Sequence, residues 1–208
     1  MNNMTDDFLI MKQLIKADYE RKVKAFRLLP VEGKPIFAGD SMIAYFNLPR
    51  YGFDGYINMG IAGDTTAGLM NRLDAIVRQK PPYVIIHIGS NDLVLDQLAA
   101  NEIVQRIEHI VDELSMTSTV YVISLTPVNP HVENVNHTHI GGRKNEDINA
   151  INQQLKSLYQ TNYIDAHTHL LQSNSLLNED YTKDGIHLNH IGYHHFAEII
   201  KESLKPKL

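Results

Sequence analysis

Apolar residues along this chain follow two alternating rhythms. Five short runs rich in β-branched residues, Pro35 to Gly39, Tyr56 to Met59, Tyr83 to Ile88, Thr119 to Leu125 and Tyr163 to Ala166, are nearly continuous in apolar side chains, as strands buried on both faces are. Between them the apolar positions recur at three and four residues, which places them on one side of a helix. Leu69, Met70, Leu73, Ile76 and Val77 form one such set, and Ile103, Val104, Ile107, Ile110, Val111 and Leu114 the next. Ile148, Ile151, Leu155 and Leu158 precede the fifth run, and Phe196, Ile199, Ile200 and Leu204 close the chain. A parallel crossover needs a helix, and each helix covers one strand face. The pattern therefore predicts a single α/β domain over residues 1–208, a three-layer α/β/α sandwich. Residues 1–30 form an N-terminal helical extension, its helix running roughly from Asp6 to Leu28. That helix has two places to pack, the sheet or a second subunit, and the second would make a homodimer. The most irregular stretch, Val128 to Arg143, is rich in Asn, His and Gly and reads as a surface loop flanking a site.

Composition narrows the chemistry. Of 208 residues, 43% are hydrophobic, enough for one sizeable core. The 19 Lys and Arg against 24 Asp and Glu leave a net charge of −5, the wrong sign for a nucleic-acid binder. With no cysteine, disulfides, thiolate metal sites and cysteine nucleophiles are all excluded, and a covalent nucleophile must be Ser, Thr, Lys or a carboxylate. The first residues mix acids and lysines among the apolar side chains, unlike a signal peptide. No run approaches the roughly 20 apolar residues of a membrane span. The expectation is a cytoplasmic protein without membrane insertion, acting on a small molecule.

Ligands of an open parallel sheet bind beyond the carboxyl ends of its strands, so the residues after each run come first. Ser41 follows Gly39-Asp40 at a strand-to-helix turn, where its N–H faces the site near a helix N-terminus; a serine there also serves as a plain helix cap. Asp184 and His187 stand three apart on one loop, close enough for the carboxylate to reach the near ring nitrogen and leave the other facing outward. The same residues also suit a surface turn into the last helix, capped by Asn189. Gly63 offers a backbone N–H before a helix starting near Thr66, and Asn91 a side-chain N–H after the third run, though both are common turn residues. With the N–H of Ser41, these residues supply a hydroxyl, a base, an orienting acid and three oxyanion donors. Leu93, Val94, Pro127 and Val128 are expected to line the cleft beside Ser41 and to suit a short acyl group. Asp40 and Asp92 read as acceptors that fix their loops through backbone N–H groups.

In order along the chain, Gly39-Asp40-Ser41, the second glycine of Gly60-Ile61-Ala62-Gly63-Asp64-Thr65-Thr66, Gly89-Ser90-Asn91-Asp92, and Asp184 with His187 resemble the SGNH (GDSL-type) hydrolase superfamily. In motif they are most similar to platelet-activating-factor acetylhydrolase catalytic subunits and related bacterial lipase/acylhydrolases. The Ser90-Asn91-Asp92 block follows bacterial esterases of the family, which loosens the tie to a phospholipid substrate. The resemblance implies a flavodoxin-like sheet of five parallel strands in the order 2-1-3-4-5. It also implies a serine esterase or acylhydrolase for small, short-chain (acetyl-type) carboxylic esters. Ser41 would be the nucleophile, His187 the base, Asp184 its partner, and Gly63 and Asn91 oxyanion donors, with no cofactor and no metal.

Asp165-Ala166-His167-Thr168-His169 imitates the paired histidines of metal-dependent amidohydrolases, but their barrels take about 250 residues. His131, His137 and His139 of the irregular loop offer adventitious metal ligands but read as solvated side chains. The glycine-bearing turn lacks the lysine of a P-loop and the spacing of a dinucleotide fold. Two other classes stay open: a binding module of the same fold that holds an acylated sugar or lipid intact, and a metal-dependent deacetylase using the histidine pairs.

Overall fold

A computed structural model of the chain describes residues 3–173 and 175–205. Its strands are β1 (Ile36–Gly39), β2 (Ile57–Gly60), β3 (Tyr83–His87), β4 (Thr119–Ile123) and β5 (Tyr163–Ile164). All pair in parallel, in the order β2-β1-β3-β4-β5, as expected. The helices are α1 (Asn3–Leu28), α2 (Ser41–Ala44), α3 (Thr66–Met70), α4 (Leu73–Val77), α5 (Ala100–Ser115), α6 (His137–Ile140), α7 (Asn145–Tyr159), α8 (Ala166–Leu170) and α9 (His190–Leu204). Among the described residues no helix is long and apolar enough to cross a membrane.

Successive strand residues point to opposite faces, and the two faces carry two separate cores. Ile36, Ala38, Val84, Ile86, Val120 and Val122 face one core, where the apolar stripes of α5 and α7 cover them. Phe37, Ile85, Tyr121 and Ile123 face the other, closed by Phe196, Ala197 and Ile200 of α9. The second core is aromatic: Phe46 stacks on Tyr193 at 5.5 Å and meets Phe37 edge to face at 5.6 Å.

Several expected boundaries shift for local reasons. The fifth strand stops at Ile164, not Ala166, because the Asp165 side chain accepts from Thr168 N–H (3.1 Å) and starts α8. The histidine-rich stretch that imitates a metal motif is thus a helix start, with His167 N–H bonded to Ser124 Oγ at 2.7 Å. The apolar set from Leu69 to Val77 is two helices instead of one, broken at Arg72. That side chain is wholly buried. Its guanidinium binds Asp64 Oδ2 through Nε (2.9 Å) and Nη2 (2.8 Å), and reaches Met59 O (2.8 Å) and Gly39 O (3.2 Å). Helical continuity would turn it away from these acceptors.

Within its own chain α1 packs on helices rather than directly on the sheet. Tyr19 donates to Gly68 O at 2.7 Å, Arg27 pairs with Asp74 at 3.0 Å, and Val23 is buried. The helix therefore lies over α3 and α4 and reaches the carboxyl edge of the sheet.

Removing one partner of a buried ion pair strands the other charge. Arg72→Met is expected to cost about 3–5 kcal/mol, and Arg72→Met combined with Asp64→Leu to cost less than the single change. Urea denaturation of the three proteins checks this; a double variant no more stable than Arg72→Met would contradict it.

Candidate active site

The exit from β1 is compressed. Gly39 has φ of +146°, and a β-carbon there would sit 1.9 Å from His87 O. Only glycine lets β1 and β3 lie this close while the chain turns into α2. Asp40 follows as the helix cap, its Oδ1 accepting from Met42 N–H and from His87 Nδ1, both at 3.0 Å. Ser41 comes next, buried, as the first residue of α2, where backbone N–H groups have no partner within the helix.

Opposite Ser41 stands the loop between α8 and α9. Asp184 Oδ1 accepts from the N–H groups of Ile186 (3.1 Å) and His187 (2.7 Å), folding the loop into a tight turn. Thr182 Oγ1 accepts from Gly185 N–H and donates to His187 O, both at 2.9 Å. The turn aims the imidazole: His187 Nδ1 lies 2.7 Å from Asp184 Oδ2, and Nε2 lies 3.1 Å from Ser41 Oγ. Burial would raise the Asp184 carboxyl, but the His139 and His187 imidazoles and the His187 N–H outweigh it and hold it well below the usual carboxylate range. An ionised Asp184 fixes the proton on Nδ1 and leaves the Nε2 lone pair facing the hydroxyl.

Asn91 follows β3 and is held on both sides. Its Nδ2 donates to Asp64 O at 2.8 Å, while its Oδ1 accepts from Arg143 Nη2 at 2.6 Å. Arg143 also donates to Ser90 O (3.0 Å), Ser90 Oγ (2.9 Å) and Ile140 O (2.9 Å). Burial brings its guanidinium down to about 10, with the Asp40 and Asp92 charges opposing, so it is cationic at neutral pH. Gly63, in the left-handed region at φ +78°, completes the edge; a β-carbon there would overlap Ile15 of α1 at 2.7 Å.

Ser41, Gly63, Asn91 and His187 line one cleft of about 110 Å³, walled also by Met11 and Ile15 of α1, Tyr45, Val94, Leu95, His139 and Arg143. All the polar residues singled out as chemistry therefore meet. Of the four apolar residues expected to line the cleft, only Val94 does. Leu93 turns to the core, because Asp92–Asp96 forms a wide π-helical turn that presents Val94 and Leu95 instead. Pro127 and Val128 lie buried elsewhere. Asn152 brackets the backbone of Leu125 at 2.8 and 2.9 Å, and Asn145 that of Val128 at 2.9 Å twice, so the segment is drawn onto α7. The stretch from 128 to 143 does flank the site: Asn129 N–H bonds Gly185 O (2.8 Å), and Asn136 N–H bonds Asp184 O (3.0 Å).

His139 is the correction within that stretch. Although half exposed, it reaches the site, with Nδ1 3.9 Å from Asp184 Oδ2. Arg143, Met11 and Ile15 were also missed. Two signals pointed toward them, the irregular composition of the loop and the N-terminal helix without a fixed packing partner.

Residues 38–195 match the model of the GDSL-like lipase/acylhydrolase family. A Streptococcus pneumonia chain named for platelet activating factor has a similar structure, with TM-score 0.83, 25% identity, and 99% of each chain covered. A GDSL-like lipase from Bacteroides thetaiotaomicron aligns with TM-score 0.77 and 20% identity over 92% of this chain and 99% of that one. A Bacteroides fragilis chain named as an acylhydrolase aligns with TM-score 0.75 and 24% identity, over 90% and 95%. Among curated proteins, none matches the chain.

Asp92 supports the cleft from below. It is fully buried and accepts from Thr66 N–H through both oxygens (3.1 and 3.0 Å) and from the Thr66 hydroxyl. Burial pushes its carboxyl up to about 6, against the Thr66 hydrogen bonds. A folded-state value above the unfolded one means that this group favours folding at low pH and loses that contribution as pH rises through about 6. Asn cannot take up the proton. Going from pH 7 to pH 5, wild type should therefore gain about 1 kcal/mol of stability relative to Asp92→Asn, measured by urea denaturation at both pH values. A stability difference unchanged between them would refute this.

Proposed function

The chain belongs to the GDSL-like lipase/acylhydrolase family, whose members hydrolyse ester bonds, and from that premise we propose that it is a serine esterase for short-chain, acetyl-type esters, working through an acyl-enzyme on Ser41. The observation that carries this reading is the relay from Asp184 Oδ2 through His187 to Ser41 Oγ, at 2.7 and 3.1 Å, joining residues 146 positions apart.

Ser41 Oγ attacks the ester carbonyl carbon while His187 Nε2 takes the hydroxyl proton. The imidazolium that forms is stabilised by Asp184, then gives its proton to the leaving alcohol as the carbon–oxygen bond breaks. Water repeats the sequence on the acyl-enzyme, with the acid as product and Ser41 restored. The tetrahedral oxyanion is met by the N–H groups of Ser41 and Gly63 and by Asn91. One amide hydrogen of Asn91 is committed to Asp64 O, and the second, with no acceptor among the described residues, is offered to the oxyanion. Arg143 sets that orientation, since a guanidinium accepts no hydrogen bond and so must face Oδ1 rather than Nδ2.

The size of the cleft supports a short acyl group: about 110 Å³ is well below the roughly 300–1,000 Å³ of pockets that enclose drug-sized ligands. A second cavity of about 320 Å³ runs between α1 and α3, and Ile15, Gly63 and Leu95 line both. Ile15 is thus a partition between the reacting centre and unused space.

Wild type should hydrolyse p-nitrophenyl acetate without loss of rate in a chelator and be labelled by a fluorophosphonate, whereas Ser41→Ala should do neither. A silent binding module predicts no turnover by either protein, and a metal-dependent deacetylase predicts loss with chelator. Asn91→Ala should lower kcat by about 10²–10³ in the same assay; an unchanged kcat would remove it from the oxyanion site. Against a panel of p-nitrophenyl esters, Ile15→Ala should move the preferred chain from acetyl toward hexanoyl or longer, and an unaltered preference would refute the partition.

A further inference from the structure

Two imidazoles face Asp184. His187 Nδ1 is 2.7 Å and His139 Nδ1 3.9 Å from the same carboxylate oxygen, and the two rings meet edge to face at 5.4 Å. One donor atom from each of the three residues lies within 4.8 Å of the other two. The ester mechanism takes its base and that base's partner from two of these residues, while His139 touches neither Ser41 nor any proton that moves.

Two ring nitrogens and one carboxylate oxygen make a ligand set suited to zinc rather than to magnesium or calcium, which prefer oxygen. Around a tetrahedral zinc, ligands bound at about 2.0–2.1 Å stand roughly 3.3 Å from one another. The two separations from Asp184, 2.7 and 3.9 Å, bracket that spacing, and the two imidazole donors lie within 4.8 Å of each other, so side-chain rotations that draw His139 inward accommodate the ion. Access is open, since the His139 side chain is 42% exposed while His187 is buried beneath it. His139 also sits on a fixed support: α6 is capped by Asn136, whose side chain accepts from His139 N–H at 3.0 Å.

We propose that His139, Asp184 and His187 form an inhibitory zinc site superposed on the catalytic relay; the inhibition rests on the reading of His187 as the base. The ion takes the place of the Nδ1 proton between His187 and Asp184. The neutral ring then carries its one proton on Nε2, moved there through solvent, so no net proton is lost. Nε2 now donates toward Ser41 Oγ and cannot accept from it, and the nucleophile keeps its hydrogen. Removing the ion restores the Nδ1 tautomer and with it the base.

The test is calorimetric titration of zinc chloride into wild type, Ser41→Ala and His139→Gln, beside the ester rates of wild type and His139→Gln, each relative to its own metal-free rate. Wild type should bind one zinc per chain, lose ester turnover in parallel, and recover it with a chelator. Ser41→Ala should bind zinc like wild type, whereas His139→Gln should weaken binding by tenfold or more and, in the rate assay, escape inhibition to the same degree. Equal affinity in His139→Gln, or no binding by wild type at millimolar zinc, overturns the site. Magnesium inhibiting as strongly as zinc overturns it too. The two readings fail separately: zinc binding that needs His139 in a protein without Ser41-dependent turnover refutes the esterase, while Ser41-dependent turnover indifferent to zinc refutes the inhibitory site.

Discussion

Two buried guanidinium groups gather the strand exits, and the geometry of the site depends on them. A buried carbonyl has two lone pairs to satisfy, and at the strand exit Gly39 O takes one backbone donor, Ile61 N–H at 2.8 Å. Arg72 adds a donor to Gly39 O and another to Met59 O while pairing with Asp64. Arg143 does the same for the β3 exit and the loop beyond β4, through Ser90 O and Ile140 O. A guanidinium offers five donors in a rigid fork, where a lysine offers one mobile point charge. The same contacts that satisfy these carbonyls therefore fix the distances between Ser41, Gly63 and Asn91, so fold stability and site geometry are not separable here.

Around this scaffold four carboxylates share one edge of the sheet with different duties set by their surroundings. Asp40 caps α2 and holds His87. Asp64 is pushed up to about 6 by burial, with Arg72 opposing, and Asp92 rises by burial in the same way. Only Asp184 moves the other way, because two imidazoles and a backbone N–H outweigh its half burial. In the proposed mechanism the carboxylate that must stay ionised to steady an imidazolium is thus one whose surroundings favour its charge, unlike Asp64 and Asp92. The other three serve as acceptors that shape the loops, as expected from sequence for Asp40 and Asp92.

The legible parts were those with a periodic signal or a fixed local spacing. Alternation marked the strands and helices, strand order came from family resemblance alone, and Asp184 with His187 are three residues apart on a self-closing turn. Arg72 and Arg143 were illegible because an arginine in a polar stretch reads as solvated until its acceptors, 33 residues away for Gly39 O and 53 for Ser90 O, are known. Pro127 and Val128 were misplaced for a related reason: the pull on them comes from Asn152 and Asn145, polar residues inside a helix whose apolar stripe was the only feature read. Leu93 failed on period, since a π-helical turn rotates side chains away from both standard helical and extended expectations.

The split between what was readable and what was not follows the division of labour in the site. The reacting groups sit on strand exits and tight turns, where backbone geometry leaves little freedom and short motifs suffice. The walls come from α1 and from the stretch between β4 and α7, which meet the reacting groups through contacts far apart in sequence: Ile15 against Gly63, His139 beside Asp184. Swapping Met11, Ile15 or Val94 for other apolar residues changes the volume of the cleft without touching the hydrogen-bond relay. On the proposed reading, reaction type and acyl preference are in this way carried by different parts of the chain, and a change in substrate needs no change in the groups assigned to the chemistry.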